Sequence, residues 1–172
     1  PAMSIACYSS RKQLNETQYS WSSRGPTLDG DFGVTVTACG GAVTSVGNWQ
    51  LQKSQLMNGT SMSSPSCAGA VALLLSGLKA LKIPYTPQRV KHALECAARP
   101  VEPFDALTVG SGLIQVPASF DHLRAHAQRK ELDLLYKITI PSTGGRGIYL
   151  REHADTVRAT EIGIQIEPIF PE

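Results

Sequence analysis

One short string constrains this chain more than any other: Asn58-Gly59-Thr60-Ser61-Met62-Ser63-Ser64-Pro65, followed at once by an apolar run from Cys67 to Leu75. The string is small, polar and turn-prone. The run behind it begins with the small residues Ala68-Gly69-Ala70-Val71-Ala72. Together they predict a loop that becomes a helix, with Pro65 in the first turn, where a missing N–H costs nothing. A helix apolar on nearly all sides is expected inside a protein rather than on its face. A serine at the junction sits among unpaired helical N–H groups, at the positive end of the helix dipole. Its own N–H can face a developing oxyanion, which acyl transfer requires. An Asn-Gly turn followed by an N-capping Ser or Thr accounts for the same residues without any chemistry.

The full string decides between these readings. Gly59-Thr60-Ser61-Met62-Ser63-Ser64-Pro65 resembles the nucleophile motif of the subtilisin-like serine peptidases, the subtilases, and the small-residue helix behind it is similar too. By that resemblance Ser61 is the nucleophile and gives a backbone N–H to the oxyanion, and Thr60 supports the oxyanion hole. Tyr19-Ser20-Trp21-Ser22-Ser23-Arg24-Gly25-Pro26 and Gly110-Ser111-Gly112-Leu113-Ile114-Gln115-Val116 resemble two further subtilase segments, in the family's order. At Ala38-Cys39-Gly40 the chain departs from the family's Ala-Pro-Gly, with Cys39 in place of proline.

A serine nucleophile needs a general base and a group to orient it. In subtilases the order is Asp, His, Ser, so the resemblance places the triad Asp and His, and the oxyanion Asn, before Pro1 and outside this chain. His92, His122, His126 and His153 all follow Ser61, and none has the family's His context. Asn15, Asn48 and Asn58 match no oxyanion motif. His122 and His126 lie i,i+4 and have metal-chelating spacing, but with no third ligand in view they read as a solvated helix face. The chain alone is expected to be inactive. No metal or organic cofactor is needed for the implied chemistry.

Between these motifs, residues 1–19 read as an irregular surface loop. Residues 34–37 and 42–46 read as strands. Thr86 and Pro87 open a second helix whose stripe of Val90, Ala93, Leu94 and Ala97 is core packing. Residues 117–127 read as a terminal helix with Phe120, Leu123 and Ala127 inward. After Lys130 the pattern changes to period two: Tyr136, Ile138 and Ile140, then Ile162, Ile164 and Ile166, the last three expected on one buried strand face. The expected fold is α/β: the C-terminal part of a subtilisin-like parallel-sheet catalytic domain with helices on both faces (1–127), a linker (128–135), and the start of an all-β domain (136–172).

With 172 residues, the chain has room for one domain or parts of two. It begins at Pro1 and ends among Pro168 and Pro171, as a piece of a longer protein would. A net charge of +2 argues against a nucleic-acid partner, and the nine-residue apolar run from Cys67 to Leu75 is too short to span a membrane. Cys7, Cys39, Cys67 and Cys96 are too scattered for metal or redox pairing and read as free thiols of a reducing compartment.

Residues 146–151 and 167–172 lie outside the catalytic core and resemble one branch of the subtilases. That resemblance implies a large cytoplasmic exopeptidase acting on oligopeptides, releasing tripeptides from free N-termini, and self-associating into a large homo-oligomer. A subtilase endopeptidase of another branch and a non-catalytic, truncated assembly module are the alternatives.

Overall fold

The computed structural model describes residues 5–9, 17–129 and 133–170. Its central sheet has the order β2-β1-β3. Strand β1 (Ile5–Ser9) runs parallel to β3 (Val36–Cys39), with Ile5 opposite Val36 and Tyr8 opposite Cys39, and antiparallel to the short β2 (Thr17–Gln18). The loop expected for residues 1–19 is therefore corrected at both strands. Ile5-Ala6-Cys7-Tyr8 is too short an apolar run to distinguish a strand from a loop by periodicity. Asn15 lies outside the described residues.

Val36, Thr37 and Ala38 are fully buried, as a strand covered on both faces should be. The sheet continues on the far side of β3 through a parallel bridge from Thr37 to Leu113. Thr37 N–H donates to Gly112 C=O at 2.8 Å, and Ile114 N–H donates to Thr37 C=O at 3.0 Å. Gly110 and Gly112 hold φ of 63° and 118°, and a Cβ on either would strike the backbone of Thr35 or Arg99. The glycines of that motif let the chain turn tightly against β3.

A hairpin of β4 (Gly41–Ser45) and β5 (Ser54–Asn58) then leads into α1 (Thr60–Ala80). Helix α1 packs on β1 and β3. It buries Ser63, Cys67, Ala70, Leu74 and Leu78, one stripe at helical spacing. Leu73, on another face, is 64% exposed. The all-round burial expected of this helix is thus not met in this chain, because the described residues cover one side of it. By length and composition α1 could cross a bilayer. Its packing on the sheet and its polar first turns make it a core helix.

Leu74 and Leu78 meet Val90, Ala93 and Leu94 of α2 (Pro87–Cys96) and Leu123 of α4 (Val116–Ala125) in the largest apolar cluster. Thr86 caps α2 by accepting from Arg89 N–H, as the sequence indicates. The short α3 (Ala106–Val109) is capped by Asp105. The terminal helix ends at Ala125, so Ala127 lies beyond it.

Arg89 of α2 bonds to described residues at both ends of the segment assigned to a linker. Arg89 is 8% exposed and grips the Asp133 carboxylate with Nε and one terminal nitrogen, both at 2.8 Å. It also donates to the C=O groups of Ala127 and Arg129 at 2.8 and 2.9 Å. Residues 130–132 lie outside the described set.

Beyond it, β6 (Leu135–Thr139) pairs antiparallel with β7 (Gln165–Ile169), and a single turn, α5 (His153–Thr156), lies between them. Ile166 is on β7 but 61% exposed, Ile164 precedes the strand and is 53% exposed, and Ile162 also lies outside it. The shared buried face expected for the three isoleucines does not form here. An isolated pair of strands has no second layer to bury it. Only Ile140, at the end of the first run, is buried.

This region docks on the first through a charge clamp. Arg146 contacts Asp29 through Nε at 2.6 Å and Asp31 through a terminal nitrogen at 2.8 Å. Gly30 and Gly147 approach so closely that a Cβ on either would hit the other's backbone. The hydrogen bond from Arg146, with a second from Thr27, pulls the Asp29 carboxyl from 3.8 down to about 2. A depressed carboxyl contributes stability above its unfolded value and loses it as pH falls through its folded value. The clamp is therefore expected to hold until pH approaches about 2. Arg146→Gln should return the Asp29 titration, followed by carbon-detected NMR, toward the ordinary carboxylate range. An unmoved midpoint would refute that cause.

Candidate active site

The hairpin and the first turn of α1 together place Ser61. Gly59, the residue before the helix, is extended at φ 164° and offers no side-chain cap. Gly59 N–H donates to Gly40 C=O at 2.7 Å, and its own C=O receives the N–H groups of Met62 and Ser63. Among the described residues the N–H groups of Thr60 and Ser61 have no backbone acceptor. Both residues are exposed. The Ser61 hydroxyl thus stands beside unpaired donors at the positive end of a 21-residue helix.

The neighbouring serine does structural work. Ser63 is fully buried and its hydroxyl donates to Ala38 C=O at 3.3 Å, tying the first turn of α1 to the end of β3. Cys67, one turn on, packs with Val36 and Ala38 in the same seam. The sequence shows both serines but not which one faces the sheet. That division follows from the helical phase set by Cys67 and Ala70.

Asn58, the residue before Gly59, accepts a hydrogen bond from the Tyr19 hydroxyl at 3.0 Å. Tyr19 stacks on Trp21 with centroids 4.4 Å apart. A Cβ on Gly41 would lie 3.1 Å from Asn58 Oδ1 and 3.3 Å from the Tyr19 hydroxyl, so the glycine leaves room for this contact. The segment of residues 19–26 is thereby fastened to the loop that carries Ser61. Cys39 ends β3 with its thiol exposed, and the turn through Gly40 forms without the family's proline.

The histidines lie elsewhere. No histidine is hydrogen-bonded to Ser61 among the described residues. His92 is on α2, His122 on α4 and His126 at the end of α4, while His153 begins α5. The solvated face expected for His122 and His126 is not what forms. His122 and His126 have ring centroids 4.3 Å apart, His92 lies 5.4 Å from His122, and His122 Nδ1 is buried without a hydrogen-bond partner. Helices α2 and α4 pack face to face, and only the tertiary fold brings these rings together. Burial, with the nearby His126, His92 and Arg129, holds the His122 imidazole below its ordinary value.

Cys39, Cys67 and Cys96 are free thiols, while the side chain of Cys7 lies outside the described set. Burial raises the Cys67 and Cys96 thiols, so neither is an activated nucleophile. A cleft of about 840 Å³ between Phe32, Lys91, Glu95 and Arg146 does not include Ser61.

Residues 2–131 match the profile of the subtilase family. The chain belongs to that family. It is 46% identical over 180 residues to tripeptidyl-peptidase 2 of Arabidopsis thaliana, covering 100% of this chain and 13% of that protein. It is 42% identical over 170 residues to tripeptidyl-peptidase 2 of Drosophila melanogaster, covering 99% of this chain and 12% of that protein. The crystal structure of tripeptidyl peptidase 2 superposes with a TM-score of 0.71 at 35% identity over 98% of this chain and 12% of that one. This subtilase chain thus spans about an eighth of the length of the relatives it matches. The similarity runs past residue 131 into the β6–β7 region, so it exceeds the family's catalytic core.

Proposed function

We propose that this subtilase chain is the nucleophile-bearing part of a serine peptidase that releases tripeptides from the free N-termini of oligopeptides. The observation that carries the proposal is Ser61: exposed, in the motif string, at the first turn of α1 with its own N–H unpaired. Similarity to tripeptidyl-peptidases over the whole chain supports the tripeptide specificity.

In this reading a histidine supplied by the longer protein takes the Ser61 proton. Ser61 Oγ attacks the scissile carbonyl, and the negative charge on its oxygen faces the Ser61 N–H. The C–N bond breaks, the shortened peptide leaves as an amine with the histidine's proton, and the tripeptide stays as an ester on Ser61. Water then hydrolyses the ester. Thr60 helps to shape the oxyanion hole. The longer protein works in the cytoplasm as a large homo-oligomer, and the β6–β7 pair opens a β-rich domain.

Specificity for a free N-terminus requires a site that hydrogen-bonds or pairs with the ammonium group. Blocking it leaves buried polar groups unpaired, a loss of about 1–3 kcal/mol. The full-length protein is expected to release tripeptides from an unblocked peptide at least about tenfold faster than from its N-acetylated form. Internal cleavage of blocked peptides at equal rates would establish an endopeptidase instead.

A further inference from the structure

The cluster of His92, Cys96 and His122 lies outside the proposed catalytic machinery. One ring nitrogen from each histidine and the Cys96 sulfur lie within 4.8 Å of one another. His92 and Cys96 are i,i+4 on α2, so their side chains share one helix face. Cys96 Sγ is 3.5 Å from His92 Nε2 and 3.7 Å from Nδ1, over the ring, so a metal shared by the two requires the His92 ring to turn its nitrogen toward the sulfur. A tetrahedral zinc with Zn–S of about 2.3 Å and Zn–N of about 2.0–2.1 Å separates its sulfur and nitrogen ligands by about 3.5 Å.

A Cys–His hydrogen bond alone would explain that pair. It does not explain His122, whose Nδ1 is buried against α2 with no partner. Buried polar atoms are nearly always satisfied, and an orphan calls for a missing one. His126 supports the arrangement: its Nδ1–H donates to His122 C=O at 2.9 Å, which holds the end of α4 beside the cluster.

We propose that His92, Cys96 and His122 bind a zinc ion that ties α2 to α4. Two imidazoles and a thiolate suit a borderline-soft divalent ion. Water completes the tetrahedron, and the Cys96 thiol gives its proton to solvent when the metal binds. No subtilase step uses the ion, and its role is to brace the helix pair behind α1.

Cobalt(II) is the probe, because it takes tetrahedral zinc sites and gives a thiolate-to-metal charge-transfer absorption. The full-length protein, stripped with a chelator, is titrated with cobalt and then with zinc. One equivalent of cobalt per chain should give that absorption, and zinc should displace it. Cys96→Ser should abolish the absorption, and both Cys96→Ser and His122→Gln should weaken zinc binding at this site by at least about tenfold. His153→Gln should change nothing. Absence of the absorption in the unaltered protein, or its persistence in Cys96→Ser, overturns the proposal. So does unchanged zinc affinity in His122→Gln. Peptidase activity enters none of these readouts, so the result is independent of the proposed reaction.

Discussion

Ser61→Ala in the full-length protein is expected to lower kcat for peptide hydrolysis by about a millionfold, with little change in KM. In subtilisin, the family's type enzyme, removing the nucleophile alone costs roughly 10^6 in kcat, about as much as removing the whole triad. The size follows from how the residues work together. A hydroxyl is a poor nucleophile until a base takes its proton, and a base without a hydroxyl has nothing to activate. What remains is the residual catalysis of binding and the oxyanion hole.

Ser63→Ala provides the contrast. Ser63 lies two residues away, and its hydroxyl is spent on Ala38 C=O. Its loss should cost about 1 kcal/mol of stability and leave the chemical step in place. A fluorophosphonate should label the full-length protein at Ser61, and the Ser61→Ala variant should take up none. If Ser61→Ala kept more than about a thousandth of the wild-type kcat, Ser61 would not be the nucleophile.

The sequence exposes the parts of this molecule that depend on local chemistry. Residues 58–65 lead into a helix as read, because Gly59 and the apolar run dictate local backbone geometry, but the helix starts at Thr60, so Pro65 lies in its second turn and not in the first turn expected for it. The cap at Thr86 and the stripe of Val90, Ala93 and Leu94 follow from the same local rules. Strand β1 was hidden because four apolar residues carry no usable period. The three isoleucines alternate as strand residues do, yet alternation says nothing about whether a covering layer is present.

The candidate site divides in the same way. The proposed nucleophile, Ser61, rests on a contiguous motif. The burial of Ser63, the Tyr19–Asn58 contact and the meeting of His92 with His122 all arise between elements distant in sequence. Spacing within one helix set His122 and His126 one turn apart but gave them a solvated face, which does not form. It had no means of placing α2 beside α4.

The anchoring of Ala127, Arg129 and Asp133 by Arg89 is the clearest case of information absent from local sequence, and it yields the second large effect. Arg89→Met is expected to destabilise the end of α4 by about 3 kcal/mol. The guanidinium makes two hydrogen bonds to Asp133 and one each to Ala127 and Arg129 C=O, all at 2.8–2.9 Å. Methionine fills similar space but takes the donor from two carbonyls and leaves the Asp133 carboxylate with the Thr86 hydroxyl, which donates to Oδ1 at 2.7 Å. Asp133 keeps 17% side-chain exposure, so water recovers part of the loss and the cost sits at the low end of the range for broken buried pairs.

A local opening is best read by amide hydrogen exchange in the full-length protein. The His126 and Arg129 N–H groups, bonded to His122 and His126 C=O, should exchange about a hundredfold faster in the variant, since 1.36 kcal/mol is a factor of ten. Arg89→Lys should fall between, because an ammonium restores the charge without the planar fork.

The pH dependence gives an independent check. The hydrogen bonds from Arg89 outweigh the burial of Asp133 and hold its carboxyl below the usual range. The stabilisation is therefore complete above the unfolded value of about 3.9 and is lost as pH falls through the folded one. The difference between wild type and Arg89→Met should be constant above about pH 5 and shrink in acid. Equal exchange in the two proteins at neutral pH would mean that the end of α4 is held by something other than Arg89.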